Sequence, residues 1–90
     1  MENKYILESL ASDLKRVALG LHRGSKQMSQ RFLKEALKRK SEVDVNTIDL
    51  YIKKILNHID KNIDAENALM FSTLIQNYSQ SKKFYPSNLE

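Results

Sequence analysis

Cysteine is absent from this 90-residue chain, and histidine, glycine and proline are scarce, with two, two and one residues. Without cysteine the protein can form no disulfide, no thiolate nucleophile and no cysteine-based zinc site. Two histidines are few for a transition-metal site, so we expect no metal and no other cofactor. The scarcity of glycine and proline favours helix, as does the abundance of Leu, Ile, Lys, Glu and Ala.

Long hydrophobic runs are also missing, since no apolar stretch approaches the ~20 residues that a helix needs to cross a bilayer. The first ten residues, MENKYILESL, lack the basic-then-apolar order of a signal peptide. The chain is nevertheless 41% hydrophobic, which is too apolar for a disordered protein. We therefore expect a soluble, cytoplasmic protein that does not bind membranes.

A chain of this length predicts one domain, which we assign to residues 1–80, followed by a tail of residues 81–90. Pro86 prevents helix from continuing through the tail. The final Leu89-Glu90 matches a common expression-vector remnant, so we base no expectation about the fold on it.

Positive charge is concentrated in residues 15–40. That window holds nine of the fifteen basic side chains and a single acid, Glu35, so its net charge is +8, whereas the remainder of the chain nets −4. The total of +4 therefore conceals a strongly dipolar molecule. Charge asymmetry of this size can govern which partners a protein binds.

Apolar residues at alternating spacings of three and four predict a first amphipathic helix from Tyr5 to about Arg23. Gly24 is placed to close that helix in the left-handed conformation, and Ser25 to cap the next. One continuous helix through Gly20 and Gly24 is the alternative. Each glycine in a helix interior costs about 1 kcal/mol relative to alanine, so two within five residues favour a turn.

The second helix is predicted from Ser25 to about Glu42, and its basic residues form a stripe. Arg31, Lys34 and Lys38 lie within about 60° of one another, opposite the apolar face. Such a stripe can contact phosphates and release counterions, and arginine suits bidentate phosphate contact. A merely solvated surface is the alternative. With two arginines of the first helix, the candidate nucleic-acid-binding residues are Arg16, Arg23, Arg31, Lys34 and Lys38.

A third helix is predicted to begin at Asn46 as its N-cap and to bury mainly β-branched residues as far as Ile63. Asp64 is the predicted cap of a fourth helix that reaches about Ser79. Residues 67–81 carry no charge, so this helix either lies centrally in the fold or contacts another chain. The candidate protein interface on it consists of Leu69, Met70 and Phe71.

Arg16 and His22 are separated by five residues. This spacing resembles the Arg-x(4–6)-His motif of the HEPN family of small helical ribonucleases, over a match of seven residues. In that family the pair acts at a dimer interface. The resemblance implies that His22 transfers protons and that Arg16 binds phosphate.

Together these patterns predict a small all-α protein, an antiparallel bundle of four helices in which the third and fourth could instead merge through a bend. We expect a non-enzymatic interaction module that binds nucleic-acid backbone. The alternatives are a protein adaptor or homo-oligomer that uses the uncharged fourth helix, and a HEPN-like ribonuclease. The predicted core residues are Leu7, Leu10, Leu14, Val17, Leu21, Met28, Phe32, Leu33, Leu37, Ile48, Ile52, Ile55, Ile59, Phe71, Ile75 and Tyr78.

Overall fold

The computed structural model describes residues 2–81. Every regular element among these residues is a helix, and four of them are α-helices, so the predicted all-α bundle of four helices is confirmed. Residues 82–90 of the predicted tail lie outside the described residues. The elements are α1 (Asn3–Arg23), α2 (Lys26–Glu42), a short 3₁₀ helix (Val45–Thr47), α3 (Leu50–Asn57) and α4 (Ala65–Ser81).

A tight turn joins α1 to α2, as predicted. Gly24 ends α1 in the left-handed conformation, with φ of 70°. The Ser25 hydroxyl then caps α2 by accepting a hydrogen bond from the Met28 N–H at 3.2 Å. At the other end of this hairpin, the Asn3 side chain donates to the Asp44 carbonyl at 2.9 Å. These contacts indicate that α1 and α2 run in opposite directions.

Gly20 allows α1 and α2 to approach closely near this turn. A Cβ atom at Gly20 would lie 2.7 Å from the main-chain nitrogen of Ser29, a distance that real Cβ contacts do not reach. Ser29 itself is buried. Glycine is therefore required here for the contact between the two helices rather than for the turn.

The other side of α1 packs against α4, so that α1 lies between two long helices. Ala68 of α4 joins Val17 and Ala18 of α1 in one apolar cluster. One turn further along α4, the buried Ser72 hydroxyl donates to the Ala11 carbonyl at 2.6 Å. Ala11 and Ser72 were not predicted as core residues, yet their small side chains let the two helices come close.

Most of the predicted core is buried, but α2 is less buried than expected. Met28, Phe32, Leu33 and Leu37 are only partly buried. The reason is that α2 packs mainly on α1, so its apolar stripe is covered from one side. The prediction for Leu21 is wrong, since 40% of it is exposed. It lies in the last turn of α1 and borders an open recess of about 200 Å³ beside α2.

The predicted start of the third helix is also wrong. Asn46 lies in the 3₁₀ helix, where its N–H donates to the Asp44 carboxylate at 3.1 Å, and α3 begins only at Leu50. The Asp44 side chain thus caps a separate 3₁₀ turn before α3. Ile59 follows the end of α3 but is fully buried as a member of the main apolar cluster.

The third and fourth helices do not merge through a bend. Residues 58–64 are non-helical and separate α3 from α4. Asp64 is the predicted cap of the fourth helix, and its carboxylate accepts a hydrogen bond from the Asn67 N–H at 2.8 Å. The cap prediction is therefore confirmed.

Candidate nucleic-acid interface

Two predicted phosphate-binding residues from different helices meet at one aromatic ring. The guanidinium carbons of Arg16 on α1 and Arg31 on α2 lie 5.4 and 5.5 Å from the centroid of the Phe32 ring. Both distances are within the ~6 Å range of a cation–π contact. We call Arg16 and Arg31 the guanidinium pair.

The hairpin geometry explains why these residues meet. Arg16 precedes Gly20 by four residues, and Phe32 follows Ser29 by three. Because α1 and α2 run in opposite directions from the Gly20–Ser29 contact, about one helical turn along each brings Arg16 beside Phe32. On α1, the Arg16 Nη1 also donates to the Ser12 hydroxyl at 2.6 Å. The Arg16 guanidinium is therefore held by two contacts, one with a residue of α1 and one with a residue of α2.

The guanidinium pair remains available to bind an anion. Within residues 2–81 the sole ion pair joins Arg39 Nη1 and Glu42 Oε1 at 3.3 Å, and it involves neither member of the pair. Both members are exposed. Each positive charge is thus oriented by an aromatic ring without being neutralised by a direct carboxylate contact.

One carboxyl group does lie in the electrostatic field of the pair. Burial raises the pKa of Asp13 above its ordinary value, the positive charges of Arg39 and Arg16 oppose that rise, and Glu35 adds to it. Desolvation is the largest of these effects because Asp13 lies in the contact between α1 and α2. Asp13 is therefore a carboxyl group that interacts electrostatically with Arg16 of the guanidinium pair.

The other three predicted residues stand apart from the guanidinium pair. Arg23, Lys34 and Lys38 are exposed, and none of their side chains forms a hydrogen bond or ion pair with another residue in the described range. Lys34 and Lys38 lie on the side of α2 that faces away from α1. The structure thus brings two of the five candidates together and leaves three as separate solvated cations.

Some of the charge in residues 15–40 is used inside the fold. Lys40 donates from Nζ to the Ile59 carbonyl at 2.9 Å, and Arg39 pairs with Glu42. Neither side chain belongs to the five candidates. The net charge of the window therefore overstates the charge that a partner would meet.

A recess beside the guanidinium pair is lined partly by residues outside the five predicted phosphate-binding residues. It encloses about 210 Å³ at the start of α2. Phe32 and Met28 had been assigned to the core, because apolar spacing does not distinguish a buried side chain from one at the edge of a helix contact. The sequence feature that could have indicated this recess is that Phe32 directly follows the basic residue Arg31. This tip recess is lined by Ser25, Gln27, Met28, Arg31 and Phe32.

The predicted protein interface on α4 is partly wrong. Leu69 and Met70 are exposed, at 46% and 49%, but Phe71 is buried and stacks on the His58 ring with centroids 6.5 Å apart. One residue is about 100° of rotation on a helix, which turns Phe71 into the core while Met70 stays outside. Leu74, four residues after Met70, is 38% exposed. The outer face of α4 is therefore defined by Leu69, Met70 and Leu74.

The Arg16–His22 spacing does not produce a joined pair in one chain. Both side chains are exposed on α1, and six positions along a helix place them about 120° apart. Arg16 is directed to Ser12 and Phe32. In the described part of the chain, no three His, Asp or Glu side chains are grouped as a metal site requires.

None of the described helices is long and apolar enough to cross a membrane. Comparison of the chain with models of protein families, with curated proteins and with solved structures finds no match in any of the three.

Proposed function

We propose that this protein is a small, non-enzymatic interaction module that binds the sugar-phosphate backbone of nucleic acids. The observation that supports the proposal most directly is the guanidinium pair at Phe32, two exposed and unpaired positive groups from adjacent helices. The basic face, consisting of Arg16, Arg23, Arg31, Lys34 and Lys38, would provide the contact.

Each part of the basic face would contribute differently. Arg16 and Arg31 are already restrained by the Phe32 ring, so less side-chain entropy is lost when their N–H groups donate to phosphate oxygens. Arg23, Lys34 and Lys38 would add attraction over a Debye length of about 8 to 10 Å. Each phosphate neutralised releases counterions, so the affinity should depend strongly on salt.

Charge reversal on α2 tests this proposal. The variant Arg31→Glu, Lys34→Glu, Lys38→Glu should lose binding to fluorescently labelled DNA and RNA of mixed sequence, measured by anisotropy. The matched control, Lys4→Glu, Lys54→Glu, Lys61→Glu, changes the net charge equally at exposed positions outside residues 15–40. We expect the control to retain most of the affinity. Equal loss in both variants would contradict a defined basic face.

The same titration separates binding from cleavage. We expect RNA to remain intact throughout, because the proposed contact involves no proton transfer. RNA that is shortened during the titration, and that is protected by His22→Ala without loss of binding, would instead support the HEPN-like ribonuclease alternative.

The outer face of α4 favours a second candidate function, contact with another protein chain, including a second copy of this one. Leu69, Met70 and Leu74 are exposed on a helix that has no charged residue after Glu66. An uncharged face lets two copies of a positively charged protein meet without opposing like charges. This contact would leave the basic face free, and a cytoplasmic location remains a prediction for both functions.

A further inference from the structure

The tip recess has the chemical character of a site for a flat, partly apolar group. Met28 and Phe32 supply apolar and aromatic surface, and the Arg31 guanidinium lies over the Phe32 ring, where its own plane is a further flat surface for stacking. The Ser25 hydroxyl accepts a hydrogen bond from the Met28 N–H and keeps its own O–H as a donor, whereas the exposed Gln27 amide offers a ligand both a donor and an acceptor. No acid lines the recess, which makes a cationic ligand unfavourable.

A nucleobase matches these features. It offers two flat faces that stack on aromatic rings or on guanidinium planes, and an edge with both hydrogen-bond donors and acceptors. The side-chain amide of Gln27 also has both a donor and an acceptor, so it can pair with such an edge. The volume of about 210 Å³ is of the size needed for one base rather than for a longer segment.

The position of the recess also matches the connectivity of a nucleotide. Arg31 belongs both to the lining of the recess and to the guanidinium pair. A base in the recess would therefore have its own phosphate next to Arg16 and Arg31. In a duplex the bases are stacked and paired inside the helix, so only an unpaired strand can present a base in this way.

We infer that the tip recess holds one unstacked base of a single-stranded nucleic acid while Arg16 and Arg31 bind the adjacent phosphates. This inference rests on the proposed function, because it assumes that the basic face meets a phosphate backbone. It adds the substrate class, which is single strands of RNA or DNA in preference to duplexes.

Three ligands of equal length, measured at one salt concentration, test the inference: a single strand, its duplex, and an abasic strand that keeps the backbone without bases. Stacking of one base predicts that the single strand binds about tenfold more tightly than the abasic strand. RNA and DNA versions of each ligand then show whether the sugar contributes. The duplex should also bind more weakly than the single strand.

Protein variants locate the base. Phe32→Leu removes both the stacking surface and the ring that restrains Arg16 and Arg31, so it should weaken binding to both strands, with a loss about tenfold larger for the single strand than for the abasic strand. Gln27→Ala, at an exposed position, should lower single-strand affinity several-fold. The control is Gln30→Ala, because Gln30 lies in the same helix but lines the other recess.

These experiments distinguish failure of the inference about the base from failure of the proposed function. If the abasic strand and the duplex bind as tightly as the single strand, and Gln27→Ala and Phe32→Leu change the affinities for the single strand and the abasic strand equally, the inference about the base is overturned. Loss of binding in the Arg31, Lys34, Lys38 variant would still support backbone binding in that case. If no ligand binds even at low salt, both the inference and the proposed function are overturned.

Discussion

At the scale of single residues, the candidate interface depends on a contact between two main chains as well as on its charges. Gly20 lets α1 approach Ser29 of α2, and about one turn away that approach brings Arg16 to Phe32. The position of the guanidinium pair is therefore set partly by a residue with no side chain. Stability measurements can detect this dependence directly.

Gly20→Ala should lower the free energy of unfolding. Its Cβ would lie 2.7 Å from the Ser29 nitrogen, and overpacking of this kind costs about 1–3 kcal/mol. Alanine is more favourable than glycine in a helix by about 1 kcal/mol, and this gain is smaller than most of the expected overpacking cost. Denaturant unfolding monitored by circular dichroism measures the difference. A variant more stable than the wild type would show that α1 and α2 are not in close contact at Gly20.

Asp13 gives a prediction for the pH dependence of stability. Burial raises its pKa above the ordinary value of 3.8, so the folded protein holds this proton more strongly than the unfolded chain. The stability that Asp13 contributes is therefore fully present below pH 3.8 and is lost as the pH rises through the folded-state pKa. Asp13→Asn, which mimics the protonated form, should stabilise the protein at pH 7.

The advantage of Asp13→Asn should shrink as the pH is lowered from 7 toward 4, because the wild-type carboxyl then becomes protonated too. Urea unfolding at several pH values within this range measures the trend. A variant that is less stable than the wild type at pH 7 would mean that attraction to Arg39 and Arg16 outweighs the burial of Asp13.

At the scale of elements, α4 combines a buried face that joins the core with an outer face on which Leu69, Met70 and Leu74 are exposed. The double variant Leu69→Lys, Met70→Lys should abolish self-association, measured by sedimentation velocity, and leave nucleic-acid binding intact. Asn57→Lys with Asn62→Lys adds the same charge at exposed positions outside α4 and serves as the control. A wild-type protein that stays monomeric at its highest attainable concentration would contradict a contact between copies through this face.

The helices that the sequence predicted well are those whose ends carry local signals. Gly24, Ser25 and Asp64 act within a few residues of themselves, so their roles could be deduced from the chain alone. The start of α3 could not, because Asn3, 41 residues away, binds Asp44 and fixes the turn before it. Long-range contacts of this kind leave no periodic trace in a sequence.

In the candidate interface too, features set by local sequence could be predicted and features set by long-range packing could not. The exposed position of Arg31, Lys34 and Lys38 followed from helical periodicity within α2. The meeting of Arg16 with Phe32 did not, since it depends on how closely two helices pack. Phe71 is predicted both as a core residue and as part of the candidate protein interface, because the uncharged sequence around it does not mark which side of α4 faces solvent. Its burial places it in the core.

At the scale of the whole molecule, the two surfaces are separated. The basic face lies on α1 and α2, whereas α4 packs on the opposite flank of α1 and carries the uncharged outer face. Because α1 lies between α2 and α4, a contact through the outer face of α4 would not cover the guanidinium pair. A dimer formed through α4 would then present two basic faces to one nucleic acid and increase its avidity.

The central claim is that the basic face binds a phosphate backbone, and the salt dependence of binding tests it most directly. Anisotropy of labelled single-stranded RNA and DNA would be followed against wild-type protein at about 50 and 200 mM salt. Neutralising three to five phosphates predicts affinity that is micromolar or tighter at the lower salt and falls by roughly ten- to a hundredfold at the higher. Absence of binding at the lower salt would contradict the account and leave the basic residues as a solvated surface.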